Sequence, residues 1–330
     1  MNRAAAVALP VLQGSEEWRE ERQRGIGASD AAATVDLDPY SSRLERWAQK
    51  VGHVDPTPEM PWMRMGRLVE PLVAQLYEEE TGRKVRRRRQ MLQHPEYPFL
   101  RASLDRVTGR RIVEIKKARD GRGWGRSGSD EVPAHVLIQV QHQLLVTGYS
   151  IADVAALIAG DELRIYPIGA DDVIQQRLMA RELAFWDCVL TETPPTDIDG
   201  SDATRRYLTD RYPEDRGHQL IPDAELVDLV VQMRDARAWG TLAAVEQQRL
   251  ENAVKARMAD AALVEGPGWR ITWKNSKPSL VTDWEAVARS LAPSGSLLIE
   301  TVAAHTKTKT GSRRFLPTFK GEPDAANPDH

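Results

Sequence analysis

Three side chains in one short stretch have the types and spacing to do chemistry together. Asp105, Glu114 and Lys116 lie within Leu100–Lys117, LRASLDRVTGRRIVEIKK. Leu100 to Val107 and Ile112 to Lys117 each read as a strand, with Thr108-Gly109 as the turn between them. On the second strand Ile112, Glu114 and Lys116 alternate with Val113 and Ile115, so Glu114 and Lys116 leave the same face. Asp105 falls at the end of the first strand. Two carboxylates and an ammonium at the edge of an apolar sheet are costly to bury unless they pair or bind a cation. Such hard oxygen donors suit Mg²⁺ or Mn²⁺, and an adjacent lysine can steady a water or an anionic phosphate. A solvated hairpin carrying Glu and Lys on its wet face gives the same local pattern, so the surroundings must decide.

The surroundings are strongly basic. The whole chain of 330 residues has a net charge of −3, which favours no partner. Residues 81–126 nevertheless hold fifteen Lys or Arg against four acids, Glu96, Asp105, Glu114 and Asp120. A field of one sign around a carboxylate pair matches a phosphate-backbone substrate. A merely solvated face carries mixed signs. With 41% hydrophobic and 28% charged residues the composition is that of a globular protein of one large domain or two. A single cysteine, Cys188, excludes an internal disulfide framework and a cysteine-clustered metal site. It fits a reducing cytosol and a role as a small, buried apolar residue. No apolar run reaches the length of a membrane span. The opening MNRAAAVALPVL lacks the build of a signal peptide, so residues 1–14 are expected to be a flexible arm or short helix.

The elements that must position these groups follow in order. Ser15 to Gln23 has the capping residue and early acids of a short helix, on which Trp18 and Arg22 are one turn apart. The turn Gly25-Ile26-Gly27-Ala28-Ser29-Asp30 then leads into a small apolar helix, Ala31–Val35, and its backbone N–H groups with Ser29 suit either an anion or simple capping. Leu44, Trp47, Ala48 and Val51 form the stripe of another helix, closed by Gly52, and residues 53–62 read as a Pro-rich loop. Arg67 to Thr81 is an amphipathic helix with Leu68, Val69, Leu72, Val73, Leu76 and Tyr77 inward. Pro71 fits only its first turn, which puts Glu70 at the N-terminal end, where capping and metal ligation both explain a carboxylate. Arg83 to Leu92 is a basic strand carrying Arg86 and Arg88, candidates for DNA contact. After the hairpin, residues 118–132 form a Gly, Ser and Arg loop whose Trp124 either stacks on a base or anchors the loop. Pro133 to Thr147 is a helix ended by Gly148. Val136, Leu137, Val140, Leu144 and Leu145 face inward, and a polar stripe of Gln139, Gln143, His135 and His142 runs beside them.

A second hairpin, Ala152–Ile158 and Glu162–Ile168, and a helix over 171–190 complete an α/β (α+β) core, a mixed sheet flanked by helices. The division is therefore a core over 15–193, a linker or covering arm over 194–222, a helical to mixed extension over 223–320 and a disordered tail over 321–330. Within the extension a long helical run over 223–262 is expected to break at Trp239-Gly240, followed by a strand at Trp269–Lys274, a helix over 283–292 and a strand over 313–320.

Taken together, Trp18, Arg22, Ile26-Gly27-Ala28-Ser29-Asp30, Pro39-Tyr40-Ser41, Lys50-Val51-Gly52, Met65-Gly66 with Glu70-Pro71, Ala102-Ser103-Leu104-Asp105, Glu114-Ile115-Lys116 and Gln139-Val140-Gln141 resemble the YqaJ/lambda-type phage exonucleases of the PD-(D/E)xK superfamily. The resemblance covers about residues 15–190. It implies a restriction-endonuclease-like core, two Mg²⁺ ions with Mn²⁺ as a substitute, and 5′→3′ digestion of one strand of linear duplex DNA in phage-type recombination. It further implies a homotrimer, a single-strand annealing partner and a cytoplasmic place in a bacterial host. Under it Asp105, Glu114, Glu70 and the Ile115 carbonyl match metal ligands, Lys116 the catalytic lysine and Gln139 the glutamine beside the site. Arg22, Ser29 and Ser103 match positions that hold the 5′-phosphate. Leu104 departs from the proline of the superfamily name, at a position that shapes backbone and holds no metal. Two alternatives stand beside this reading: an endonuclease of the same superfamily, and a non-catalytic DNA-binding module. The single cysteine excludes the iron–sulfur version of the first. Clustered acids, which repel phosphate, argue against the second.

Overall fold

The computed structural model describes residues 5–55, 60–196, 198–215, 217, 219–267 and 269–274, and single positions 284, 287 and 303. It comprises two units, Met1–Arg211 and Tyr212–His330. The first holds β1 (Val7–Leu12), α1 (Glu16–Gln23), β2 (Ile26–Gly27), α2 (Ala28–Thr34), α3 (Arg43–Lys50), α4 (Pro61–Thr81), β3 (Arg86–Gln93), β4 (Leu100–Thr108), β5 (Arg111–Ala118), α5 (Ala134–Thr147), β6 (Ile151–Ile158), β7 (Glu162–Gly169), α6 (Asp172–Leu190) and α7 (Asp202–Arg211). The second holds α8 (Ala224–Met258) and the strands β8 (Leu263–Gly266) and β9 (Trp269–Thr272).

Seven strands form one mixed sheet in the order β1-β3-β4-β5-β6-β7, with β2 beside β4. The β4–β5 hairpin turns at Gly109, whose φ of 59° a side chain would resist. β5 and β6 are parallel from Arg111↔Ile151 to Ala118↔Ile158, so the chain must cross over between them, and α5 is that crossover. Val136, Val140 and Leu144 of α5 pack with Ile112, Leu104 and Val154 on one face of the sheet. On the other face Val73 and Tyr77 of α4 pack with Val113, Ala155 and Leu157. Each fully buried aliphatic side chain contributes roughly 1.5–3 kcal/mol of transfer free energy. β6 is buried on both faces, which accounts for its largely apolar run, IADVAALI, broken only by Asp153, which pairs with Arg111 and accepts from Tyr77. Behind α5, the fully buried His142 meets Glu182 of α6 at 2.6 Å and the Arg101 carbonyl of β4 at 2.9 Å, tying three elements together.

The expected mixed sheet, both hairpins and α5 are present. Several expectations are corrected. The flexible arm of 1–14 contains β1, an edge strand on β3 in which Pro10 is tolerated. α4 starts at Pro61, not Arg67, so Glu70 and Pro71 sit inside it, away from the terminus where the dipole would favour an acid. Pro71 is exposed, so water can satisfy the carbonyl it leaves without a donor. Leu68 and Leu72, expected inward, are exposed at 65% and 52%. Asp105 lies within β4 rather than at its end. α7 lies inside the expected linker and buries Ala203, Thr204 and Tyr207 in the first unit. α8 runs unbroken through Trp239-Gly240. The helix over 283–292, the strand over 313–320 and the tail lie outside the described residues.

Candidate active site

The β4–β5 ladder runs from Thr108↔Arg111 to Arg106↔Val113. One residue further Asp105 takes over, its Oδ2 accepting the Ile115 N–H at 2.9 Å. The carboxylate stands in for a strand carbonyl and is fixed in the fork where the two strands part. The same bond places the Ile115 peptide beside Asp105. As the alternation of the strand requires, Glu114 and Lys116 face α5 while Val113 and Ile115 pack toward α4.

α5 meets Glu114 with two amides one turn apart. Glu114 Oε1 accepts from Gln139 Nε2 at 2.5 Å and from Lys116 Nζ at 2.7 Å. Its Oε2 accepts from Gln143 Nε2 at 2.7 Å. Lys116 Nζ also donates to Gln139 Oε1 at 2.8 Å. Glu70 reaches the same fork from α4, but its partner there is the Arg106 guanidinium, which also donates to the Asp105 carbonyl at 2.8 Å.

Burial, then the neighbouring Glu114, pushes the Asp105 carboxyl up to about 8, although Lys116 and the Ile115 N–H oppose this. Burial alone would lower the Lys116 ammonium, but Glu114 and Asp105 outweigh it and hold it above its ordinary value. The site therefore has more buried acid than its own cations neutralise. That excess, with oxygen donors only, fits a divalent cation. Among the described residues no three His, Cys, Asp or Glu side chains form a closed metal cage. An open pair of carboxylates is nevertheless what Mg²⁺ uses, because it keeps several waters and takes substrate phosphate as a ligand.

The fork opens into a cleft of about 190 Å³ whose lining includes Trp18, Arg22, Ser29, Ser103, Asp105 and Glu114. The structure thus brings the expected phosphate-holding residues into the same cleft as the carboxylates. Beside them lies Asp30, 1% exposed, expected from sequence as part of a helix cap. Its Oδ2 accepts from Lys50 Nζ at 2.8 Å and from the Gly27 N–H at 3.2 Å. Arg46 and Arg22 approach its Oδ1 at 3.4 and 3.8 Å. Burial would raise this carboxyl, but Lys50, Arg46 and Arg22 hold it well below the usual carboxylate range.

Other expected contacts lie elsewhere. Trp124 packs at 5.4 Å from the Tyr166 ring and anchors its loop. Arg86 is exposed and Arg88 half-buried on β3, and neither lines the cleft. Gln143 was not among the expected site residues, yet its i,i+4 spacing from Gln139 was the available signal.

The YqaJ-like viral recombinase domain matches residues 17–150. Protein YqaJ of Bacillus subtilis (strain 168) is 32% identical over 285 residues, an alignment that covers 82% of this chain and 87% of that protein. The chain belongs to the YqaJ-like viral recombinase family. The family residues that line the cleft, from Trp18 to Gln139, fall inside the matched domain. The likeness to the Bacillus protein is longer than the first unit and so reaches into the second. Protein R354 of Acanthamoeba polyphaga mimivirus is 27% identical over 149 residues, 41% of this chain and 27% of that one. Among solved structures, the alkaline exonuclease LHK-Exo from Laribacter hongkongensis is 20% identical with a TM-score of 0.43, covering 59% of this chain and 99% of that one.

Proposed function

We propose that the chain is a Mg²⁺-dependent exonuclease that digests one strand of linear duplex DNA from its 5′ end and leaves 3′ single-stranded tails for recombination. One observation carries the reading: a single cleft joins a carboxylate pair short of positive charge to a cationic pocket suited to a terminal phosphate. Asp105 and Glu114 would hold the cation, with Glu70 helping at a second position once it leaves Arg106. When bound, such a cation polarises the phosphoryl group and makes water more acidic. Lys116, held by Glu114 and Gln139, presents its ammonium to the attacking water and the scissile phosphate. Gln139 and Gln143 keep the Glu114 carboxylate aimed at the fork. Arg22, Ser29 and Ser103 bind the 5′-phosphate and so fix how far the strand enters. The basic strand β3, with Arg86 and Arg88, would follow the duplex outside the cleft. A homotrimer and a single-strand annealing partner extend the same reading.

The test is polarity and end-dependence. With Mg²⁺, linear duplex labelled at one end should shorten only in the strand that begins with a 5′-phosphate, and closed circular DNA should stay intact. Cutting of the closed circle would replace this reading with an endonuclease. Salt-sensitive binding without products at any Mg²⁺ concentration would replace it with a DNA-binding module.

A further inference from the structure

Trp18 joins the three phosphate-pocket residues to one another, and its arrangement carries more than packing. Its indole Nε1–H donates to Ser103 Oγ at 3.0 Å. Its ring lies under the Arg22 guanidinium, whose Cζ is 4.9 Å from the ring centroid. Arg22 Nη2 in turn donates to Ser29 Oγ at 3.0 Å. Arg22 is steadied from two further sides, because Lys50 Nζ donates to its carbonyl at 2.6 Å and Asp30 faces its guanidinium.

A serine hydroxyl has one proton and two lone pairs. Ser103 accepts from Trp18 and Ser29 accepts from Arg22, so each keeps its own proton to give. Among the described residues neither hydroxyl donates to a protein group. Both are therefore turned into donors on the wall of the cleft, beside a guanidinium held over an aromatic face. An anion with three or more acceptor oxygens fits that arrangement, and a neutral hydroxyl does not.

We infer that Trp18 is a positioning residue for recognition of a terminal phosphate monoester. It orients Ser103 through its N–H and Arg22 through its ring, and so sets the preference for a 5′-phosphate over a 5′-hydroxyl end. This rests on the exonuclease reading above and assigns its selectivity to a residue that need not touch the substrate.

The experiment measures kcat/KM on the same linear duplex with 5′-phosphate and 5′-hydroxyl ends and takes the ratio. Trp18→Phe removes the N–H and keeps an aromatic face; Trp18→Ala removes both. The ratio should fall roughly tenfold in Trp18→Phe, the scale of one hydrogen bond in a charged setting, and further in Trp18→Ala. Adding Ser103→Ala to Trp18→Phe should lower the ratio less than Ser103→Ala does in the wild type, because the two changes remove one interaction. Thermal unfolding midpoints check the fold, and if Trp18→Ala does not fold, Trp18→Phe and the double variant carry the test alone. The inference is overturned if Trp18→Phe keeps the wild-type ratio while Arg22→Ala or Ser103→Ala lowers it. A wild-type ratio near one is a different result, and overturns the phosphate pocket itself.

Discussion

Two aspartates of the first unit meet opposite fates. Asp30 sits among Lys50, Arg46 and Arg22 and is held ionised well below the usual range. Asp105 sits beside Glu114, with Lys116 as its nearby cation, and is pushed up to about 8. The residue type is the same, and Asp105 is the less buried of the two; what separates them is whether the protein itself supplies the counter-charge. Asp30 is completed by its own fold and holds together the residues proposed to bind the terminal phosphate. Asp105 is left short of positive charge, the condition under which a carboxylate recruits a cation from solution.

Neutralising each aspartate in turn should separate the two roles. Asp105→Asn should lower Mg²⁺-dependent digestion by on the order of 10³-fold, about 4 kcal/mol of barrier, while leaving the metal-free unfolding midpoint unchanged or raised. Asp30→Asn should do the reverse in stability, costing about 3–5 kcal/mol because three cations lose a buried partner. Equal destabilisation by both variants would erase the contrast.

The pH dependence sharpens the contrast. Asp105 is protonated in the metal-free fold up to about 8 but ionised in the unfolded chain above about 4, so folding takes up a proton in that window. Metal-free stability should therefore decline as pH rises through the window, on this group's account. Mg²⁺ favours the ionised carboxyl, so its binding should release a proton and tighten with pH until about 8. Calorimetry in buffers of different ionisation enthalpy reads the proton directly, and a pH-independent Mg²⁺ affinity would remove Asp105 from the metal site. The smallest effect concerns the support behind Glu114. Gln143→Leu removes its Oε2 donor and should weaken Mg²⁺ binding roughly tenfold or more, the usual scale for a group that orients a ligand. Unchanged affinity would leave Gln139 as the amide that matters.

Much of this was legible in the chain. The β4–β5 hairpin followed from strand alternation around a Thr-Gly turn, and Glu114 and Lys116 followed from their spacing of two. α5 announced itself through Pro133 and Gly148. What could not be read was how polar residues would be buried. The stripe of Gln139, Gln143 and His142 read only as polar positions on an apolar helix; buried, its glutamines hold Glu114 of β5 and its histidine holds Glu182 of α6. Pro71 misplaced the start of α4, because a proline inside a helix is tolerated where its carbonyl partner faces water. Gly240 suggested a break in α8, but a glycine costs only about 1 kcal/mol in a helix of 35 residues. β1 is short, Ala-bearing and interrupted by Pro10, so its pairing with the basic strand left little local signal.

The crossover that places α5 over β5 has a kinetic consequence. Asp105, Glu114, Lys116, Gln139 and Gln143 all come from β4, β5 and α5, which follow one another directly in the chain. Short loops close at low entropic cost, so this half of the cleft can gather early, while the polypeptide that follows β6 is still being made. Trp18, Arg22 and Ser29 must reach it across some eighty residues, since Trp18 pairs with Ser103. A nascent chain would thus hold the parts for hydrolysis before it could be selective about which DNA end to accept.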